Sequence, residues 1–408
     1  MAKIFSYIPS AYKAGKAYTA IPLTLDAAFD SVRASEGARI DSENFIEVMA
    51  DNVPRIDYRL GGCPVLLTEP QSETLVFNSG WIGGVDNVSS PTDWSLSFST
   101  GSFTFTPSLK FPSVFAANLK TTGSQRVVFE RSLSVTSGNK YIASVYCEKA
   151  DSPQSIGSVI TFLHSGTFTY FENGIEVNGS LNISEGNYYA VVLDSSVTES
   201  TSIRFGSGTG GIVSGDISLS IPQVELGEVR SSFMLSPVGA TFTRDADEIS
   251  AALSALSAFN DTQGVFQVNV AALSIDNTNK SISINNGTSN ERIEIRISEN
   301  NVSAFFVVSP NVTSITHELI DVTILNDVRV VWDNSFAALK VNGIEVGRLD
   351  SREIPTGLNT CSFNIDNIGG LSFYGRTKEL NVYDNTDSFA STFTTFNAMA
   401  TFAKYNLV

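Results

Sequence analysis

Apolar and polar residues alternate along short runs that recur over most of the chain. Alternation at period two turns one side chain inward and the next outward, which predicts half-buried antiparallel strands. The runs that predict strands span residues 127–130, 141–146, 158–162, 188–193, 266–270, 281–284, 292–297, 329–332, 338–341 and 380–383. Asn-Gly pairs favour the positive φ of tight hairpin turns, and they occur at Asn173-Gly174, Asn178-Gly179, Asn286-Gly287 and Asn342-Gly343. Many short strands with frequent turns indicate β-sandwiches or barrels.

This pattern divides the chain into three predicted segments. Residues 1–70 lack sustained alternation and are expected to form an extended N-terminal connector. Residues 71–242 and 243–408 each carry a full set of strands, with a boundary near Pro237. We therefore expect a mainly β protein with two antiparallel β-sandwich domains after the connector.

The C-terminal end has a different period. Phe389, Phe393, Phe396 and Ala400 follow one another at intervals of four, three and four, which is one face of a helix. Asp387 is placed to cap it. A short C-terminal helix is predicted, with its Phe stripe packed internally or, as the alternative, on a neighbouring subunit.

Composition narrows the function classes. The chain has 42 acidic and 26 basic residues and a formal net charge of −16, which argues against binding to nucleic acid or to anionic membrane. No run of 18 apolar residues occurs, so membrane insertion is not expected. Pro9, Lys13 and Lys16 interrupt any signal-peptide core. Three widely separated cysteines are expected to be reduced: Cys63, Cys147 and Cys361.

Motifs for catalysis are missing from the sequence. Only two histidines are present, His164 and His317, and no G-x-S-x-G elbow, Walker A loop or Cys/His zinc spacing occurs. The glycine-rich residues 206–211 are expected to be a flexible loop. We predict no enzyme and no catalytic residues. A polysaccharide depolymerase stays open as an alternative, because glycoside hydrolysis needs only two carboxylates. Glu294, between Arg292 and Arg296, is expected on an ordinary solvated strand face.

Calcium is the one cofactor that the sequence leaves open. Loop carboxylates and amides are its usual ligands, although such residues also occur in solvated turns. Three clusters carry them: Asp245, Asp247 and Glu248; Asn364, Asp366 and Asn367; and Asp384, Asn385 and Asp387. None has the spacing of an EF-hand.

Aromatic side chains are the candidates for sugar binding, because their faces stack on sugar rings. Trp81 and Trp94 flank a loop rich in Gly, Asp, Asn and Ser, which favours exposure. Together with Tyr374 they are the predicted ligand-binding residues. Trp332 lies in a strongly apolar strand and is expected in the core.

Several blocks in the first 78 residues carry a family resemblance. The blocks are residues 8–13, 16–22, 31–35, 38–41 and 45–48 and, most specifically, VPRIDY at 53–58, CPVLL at 63–67 and EPQ at 69–71. Together they resemble the opening of phage and prophage fibre-type proteins common in Bacteroidota. One departure is Ala38, where the family usually has Thr.

The resemblance extends over the rest of the chain. In such proteins the N-terminal block leads into a jelly roll like that of carbohydrate-binding modules, here residues 71–242, and the stretches 223–227 and 240–247 also look like the family. Residues 243–408 resemble a concanavalin A-like, laminin-G-like sandwich, through ALKVNGIEV at 338–346, LSFYG at 371–375 and LNVYD at 380–384.

The resemblance implies a structural protein of the phage virion, at the particle surface. It would be a tail fibre, spike or receptor-binding protein that displays lectin-like domains for attachment to host-surface glycan. Its N-terminal segment would attach to other virion proteins and to sister subunits, with a homotrimer favoured. A head fibre or decoration protein of the capsid is the alternative within the same family of roles.

Overall fold

The computed structural model describes most of the 408 residues. The described residues are 3–7, 9–13, 16–19, 29–43, 45–58, 63–123, 125–151, 154–208, 215–249, 256, 259–365 and 371–383. Within these ranges the chain forms 32 strands and one short helix, and every strand pairing is antiparallel apart from one isolated bridge. The predicted mainly β fold with antiparallel sandwiches is confirmed. The predicted C-terminal helix lies outside the described residues.

The strands of the first half follow one another in close succession. They are β1 (Lys3–Tyr7), β2 (Pro9–Lys13), β3 (Lys16–Thr19), β4 (Phe29–Val32), β5 (Gly37–Ile40), β6 (Ile46–Met49), β7 (Arg55–Asp57), β8 (Val65–Thr68), β9 (Ser72–Thr74), β10 (Ser95–Ser99), β11 (Ser102–Pro107), β12 (Phe115–Thr121), β13 (Val127–Val135), β14 (Lys140–Ala150), then helix α1 (Ile156–Val159), β15 (Ile160–Phe162), β16 (Gly166–Glu172), β17 (Ile175–Val177), β18 (Tyr188–Ser195) and β19 (Glu199–Ser207).

The second half contains strands only within the described ranges. They are β20 (Gly215–Leu226), β21 (Phe242–Arg244), β22 (Glu248–Ile249), β23 (Gly264–Ala272), β24 (Lys280–Asn285), β25 (Glu291–Ser298), β26 (Asn301–Val308), β27 (Asn311–Glu318), β28 (Asn326–Trp332), β29 (Ala337–Val341), β30 (Ile344–Leu349), β31 (Thr360–Ser362) and β32 (Gly375–Tyr383).

Local sequence explains most of these elements. Asn173-Gly174 and Asn342-Gly343 form tight hairpins with positive φ at both residues, as the sequence predicts. The strand predicted over residues 158–162 is wrong at its start, where α1 occupies Ile156–Val159. The Ser158 hydroxyl donates to the Ser155 carbonyl at 2.7 Å, a local bond that competes with strand pairing.

The chain forms two compact units whose segments interleave. Unit 1 comprises Met1–Ala34, Met49–Pro70 and Ala246–Val408, and unit 2 comprises Ser35–Val48 and Gln71–Asp245. This division differs from the three consecutive segments drawn from the sequence, because strands of the first 70 residues contribute to both units. The alternation of apolar and polar residues within a strand does not show which distant strands it pairs with.

Unit 2 is a sandwich of a four-stranded and a nine-stranded sheet. The smaller sheet has the order β10-β13-β19-β15; the larger has the order β11-β12-β20-β14-β18-β16-β17, with β9 and β21 added beside β20. Phe129 and Phe205 of the smaller sheet share one core with Tyr189 and Leu219 of the larger. The side chains of the smaller sheet that do not enter this core form its outer face.

Unit 1 packs an eight-stranded sheet against a five-stranded one. The larger sheet has the order β30-β29-β28-β23-β32-β8-β7, with β1 also paired to β32, and the smaller has the order β27-β26-β25-β24-β31. Phe266 and Trp332 pack in one core with Ile293 and Phe306. Trp332 is fully buried, which confirms its predicted core position, and its Nε1 donates to the Asp261 carbonyl at 2.9 Å.

A buried ionic cluster joins the segments of unit 1. The Asp247 carboxylate accepts from both Arg33, at 2.8 Å, and Arg55, and Arg55 also pairs with Glu69. All four side chains are 5% exposed or less. Burial would lower the pKa of Arg55, but Asp247 and Glu69 together raise it above its ordinary value. The Arg55 guanidinium therefore stays charged inside the fold.

No helix of the described ranges has the length and apolar character needed to cross a membrane. The three cysteines are free thiols, with Cys63 exposed and the other two buried. Burial raises the pKa of Cys147 to about 12, so this thiol is unreactive at neutral pH.

Candidate functional site

The structure places the two predicted sugar-binding tryptophans in the core of unit 2. Trp81 is 1% exposed and Trp94 is 4% exposed, and their rings lie 5.0 Å apart. Their Nε1 groups donate to the carbonyls of Leu219, at 3.1 Å, and Asn78, at 3.2 Å. Their predicted exposure is wrong, because Phe129 of β13 and Phe205 of β19 pack on the two indole rings, while the loop between the tryptophans is largely exposed. Neither indole offers a face to a sugar.

Tyr374, the third predicted residue, is half-buried in unit 1. Burial raises the pKa of its phenol, with Glu248 and Asp247 adding to the effect and a hydrogen bond with Ser372 opposing it. The phenol is therefore neutral at ordinary pH. Its role in binding stays a prediction.

A different surface of unit 2 brings polar and aromatic groups together. We call it the four-stranded face: Ser97 and Phe98 of β10, where the pairing with β13 shifts register, Glu130 of β13, Arg204 of β19, and Arg126 just before β13. The register explains the grouping, because Glu130 lies opposite both Ser95 and Arg204 on the neighbouring strands.

Hydrogen bonds fix the charged groups of the four-stranded face. Arg204 Nε donates to Glu130 Oε2 at 2.7 Å, and the Ser97 hydroxyl donates to the same carboxylate. The Arg126 guanidinium lies 3.8 Å from the Phe98 ring centroid, and that of Arg204 lies 5.4 Å from it. Cation–π contacts of this kind hold a guanidinium in place at a partly exposed surface.

The Glu130 carboxylate is ionised within this network. Burial by itself raises its pKa, but hydrogen bonds from Ser97, Arg204 and Ser202 outweigh burial and leave the pKa below its ordinary value. Arg204 and Glu130 are 17% and 19% exposed, so both remain within reach of a ligand. The face thus carries two fixed cations, one anion and one aromatic ring.

An open hollow adjoins the four-stranded face. It has a volume of about 410 Å³ and is lined by Asp93, Trp94, Ser95, Glu130, Arg131 and Ser132. Arg131 donates to the Asp93 carbonyl at 2.6 Å and stacks on Phe77 at 3.8 Å. Burial lowers the pKa of Arg131, partly offset by Asp93. The hollow shares Glu130 with the face, so that one ligand can contact both.

Unit 1 carries a similar group of residues on its own smaller sheet. We call it the five-stranded face: Ser281, Arg292, Glu294, Arg296 and Phe305. Glu294 is fully buried and accepts from Arg292 Nε at 2.9 Å, Arg296 Nε at 2.6 Å and the Ser281 hydroxyl at 2.6 Å. The prediction of an ordinary solvated strand face is wrong here, because the two arginines and Ser281 cover the carboxylate.

The two faces share the same components. Each has a carboxylate that accepts from a serine hydroxyl and an arginine Nε, and each has an arginine stacked on a phenylalanine, at 3.8 Å for Arg126 and 4.2 Å for Arg296. Guanidinium groups donate in a planar fork that matches carboxylate and phosphate oxygens. Each face therefore presents oriented hydrogen-bond donors beside an aromatic ring.

A serine, a histidine and a glutamate of unit 2 also lie in contact. His164 Nε2 is 2.9 Å from Ser195 Oγ, and His164 Nδ1 is 3.4 Å from Glu199 Oε1. The sequence did not suggest this group; the pairing of Gly166 with Ser195 brings its members together. Ser195 is only 1% exposed and donates its proton to the Val197 carbonyl at 2.7 Å. A nucleophile must be accessible and give its proton to the base, so this group lacks the geometry of a hydrolase triad.

The acidic clusters offer no open set of ligands among the residues that the structure describes. Asp247 of the first cluster is occupied by Arg33 and Arg55. Of the second cluster only Asn364 is described, and the third, which starts at Asp384, lies outside the described ranges. No group of three His, Cys, Asp or Glu side chains in the described part is placed to hold a metal ion.

Comparison with known proteins gives distant matches only. No protein-family model matches the chain, and no curated protein matches it. Among solved structures it is similar to the CBM40 module of Ruminococcus gnavus IT-sialidase bound to α2,3-sialyllactose, with 17% identity over 32% of this chain and 81% of the module and a TM-score of 0.29. It is also similar to sheep galectin-11 in complex with glycerol, with 9% identity over 31% of this chain and 84% of the galectin and a TM-score of 0.20. TM-scores this low carry no argument about function.

Proposed function

We propose that the protein is a non-enzymatic glycan-binding protein at the surface of a phage particle, and that the four-stranded face of unit 2 holds the sugar. The placement on a particle rests on the fibre-type blocks within residues 8–78. Attachment of the particle to host-surface glycan is the role that such a protein would serve.

One observation carries the binding proposal: two guanidinium groups, of Arg126 and Arg204, are fixed around one partly exposed phenylalanine, Phe98. A sugar presents hydroxyls at its edges and an apolar face, and binding sites for it combine planar polar donors with aromatic rings. Glu130 adds an ionised acceptor for sugar hydroxyls, and the adjoining hollow gives room for a second sugar unit.

The binding proposal is tested on a printed array of bacterial surface glycans. Arg204→Lys keeps the charge but removes the planar fork, so the glycans bound by the natural protein should bind the variant about tenfold more weakly. Arg348→Lys is the matched control, since Arg348 also stacks on a phenylalanine, Phe336, at 3.9 Å, but lies on a different sheet. Equal binding by both variants and the natural protein would exclude the four-stranded face.

Absence of catalysis is tested separately at Ser195. A fluorophosphonate probe reacts with activated serines, and we expect no labelling because Ser195 is covered and its proton is donated to Val197. Incubation with host capsule should release no reducing ends. Labelling that disappears in Ser195→Ala, or steady sugar release, would favour the depolymerase.

Placement on the particle is tested by gold-labelled antibodies on purified phage. Labelling at the tail tip would favour a fibre or receptor-binding protein, and labelling over the capsid would favour a head fibre or decoration protein. Absence of the protein from purified particles would refute a virion role.

A further inference from the structure

We propose that the five-stranded face of unit 1 is a second binding site, selective for a sugar that carries a carboxylate. The inference rests on the proposed glycan-binding role and extends it to the other unit of the chain.

Arginine side chains surround the buried carboxylate of the five-stranded face. Glu294 is fully buried between Arg292 and Arg296, which are 11% and 20% exposed. Two cations and one anion give the group formed by Arg292, Glu294 and Arg296 a net positive charge, on a chain whose formal net charge is −16. A buried carboxylate that orients two guanidinium groups pre-organises them, so that their remaining donors are presented to a ligand at little entropic cost.

Arg296 is the group that would meet the ligand's anion. Its Nε donates to Glu294, while no described residue accepts from its two terminal nitrogens, and its guanidinium lies 4.2 Å from the Phe305 ring centroid. Arg292 instead donates through Nη1 to the Ser289 carbonyl. Glu294 and Phe305 therefore fix the Arg296 guanidinium, and its two terminal nitrogens can donate to a ligand.

Two hydroxyl groups lie beside Arg296 on the neighbouring strands. Antiparallel pairing places Arg296 opposite Ser303, and Ser303 opposite Thr316 on the next strand. The two hydroxyls lie 2.9 Å apart, and Thr316 is exposed. A sugar ring whose carboxylate meets Arg296 would bring its own hydroxyls over this pair, which a simple inorganic anion could not use.

An exposed carboxylate borders the site on one side. Glu318 lies two residues beyond Thr316 on β27, so its side chain is on the same face of the strand. Its negative charge opposes the binding of an anion at Arg296. Removing the charge of Glu318 should therefore strengthen the binding of an anionic sugar.

The experiment compares two ligands that differ only at the proposed contact. Methyl β-glucuronide and methyl β-glucoside are titrated into the full-length protein by calorimetry, with acetate as a bare carboxylate. We expect the glucuronide to bind about fivefold or more tightly than the glucoside, and acetate to bind weakest. Arg296→Lys should abolish the preference for the glucuronide, while Arg348→Lys should leave it unchanged.

Glu318→Gln provides the variant that does not disturb the buried network. It should strengthen glucuronide binding by up to about twofold, as expected for removing one exposed like charge on the same side of the sheet in water, and leave glucoside binding unchanged. Circular dichroism melting shows whether Arg296→Lys remains folded.

Three results would overturn the second site. They are equal binding of the two methyl glycosides, acetate binding as tightly as the glucuronide, and a glucuronide preference that survives Arg296→Lys. If they occur while glycan binding on the array still depends on Arg204, the five-stranded face fails and the proposed function stands. If the natural protein itself binds no glycan on the array, the glycan-binding role fails.

Discussion

At the scale of single residues, the Asp247 carboxylate balances two buried guanidinium groups, those of Arg33 and Arg55. Asp247→Asn would remove the carboxylate charge that pairs with both. Breaking a buried ion pair from one side costs about 3–5 kcal/mol because a buried charge loses its partner. We expect a loss of this size in the free energy of unfolding, measured by urea denaturation at neutral pH.

Glu228→Gln is the control for that measurement. Glu228 pairs with Lys140 at the surface, where both side chains are nearly half exposed, and such pairs contribute about 0–1 kcal/mol. Similar losses in the two variants would mean that Asp247 acts as an ordinary surface carboxylate.

The fate of individual aromatic residues shows how far sequence alone reaches. Trp332 lies in an apolar strand, and its burial follows from its neighbours in the sequence. Trp81 and Trp94 have polar neighbours, yet both are buried, and Trp81 Nε1 donates to a carbonyl 138 residues away. A single sequence does not identify such a partner, so the local polarity gave the wrong answer.

The sequence alone did not identify the four-stranded and five-stranded faces, for a related reason. The alternation of Arg292, Glu294 and Arg296 correctly places all three on one side of β25. It does not predict that the two arginines cover Glu294 and bury it. Likewise Phe98, Arg126 and Arg204 come from three separate stretches of sequence. Only the register of the strands brings them together.

At the scale of elements, period-two alternation was a reliable guide. It predicted strands that the structure extends at their ends, such as β13 and β14, because alternation is sampled over only a few residues. Asn-Gly predicted the hairpins at Asn173 and Asn342, where the backbone adopts positive φ. The order of the strands within each sheet was beyond reach, because many orders satisfy the same alternation.

The turn before β24 makes stability depend on pH. Burial tends to raise the pKa of Asp276, but hydrogen bonds from Lys280, Ser274 and Thr278 outweigh it and lower the pKa from its ordinary 3.8 to about 2. A depressed pKa stabilises the fold above about pH 4, and this contribution is lost as the pH falls from about 4 to 2. Asp276→Asn should therefore cost stability at pH 5 and much less at pH 2.

Urea denaturation at both pH values measures this difference. Asp350→Asn, which alters a carboxylate whose side chain is 86% exposed, serves as the matched control. A deficit of Asp276→Asn that is as large at pH 2 as at pH 5 would show that the charge of Asp276 is not what stabilises the turn.

At the scale of the whole molecule, we predict a homotrimer in solution. The fibre-type resemblance implies it, and the first 70 residues expose apolar side chains, with Val32 49%, Phe45 38% and Val48 42% exposed. Burial of such side chains between subunits is favourable. Light scattering should give three times the chain mass of 43.9 kDa, and a stable monomer of the full-length protein would contradict the prediction.

The interleaved segments of unit 1 also bear on how the chain folds while it is being synthesised. Domains usually fold in the order in which they leave the ribosome. Here β1 pairs with β32, and Arg33 and Arg55 pair with Asp247, so the first segments to emerge wait for partners made about 200 to 380 residues later. Unit 2 has all its residues once Asp245 has emerged and can fold first. A ribosome that stops soon after residue 245 would release a finished unit 2 with β1 and β8 lacking their partner β32, a target for chaperones and proteases.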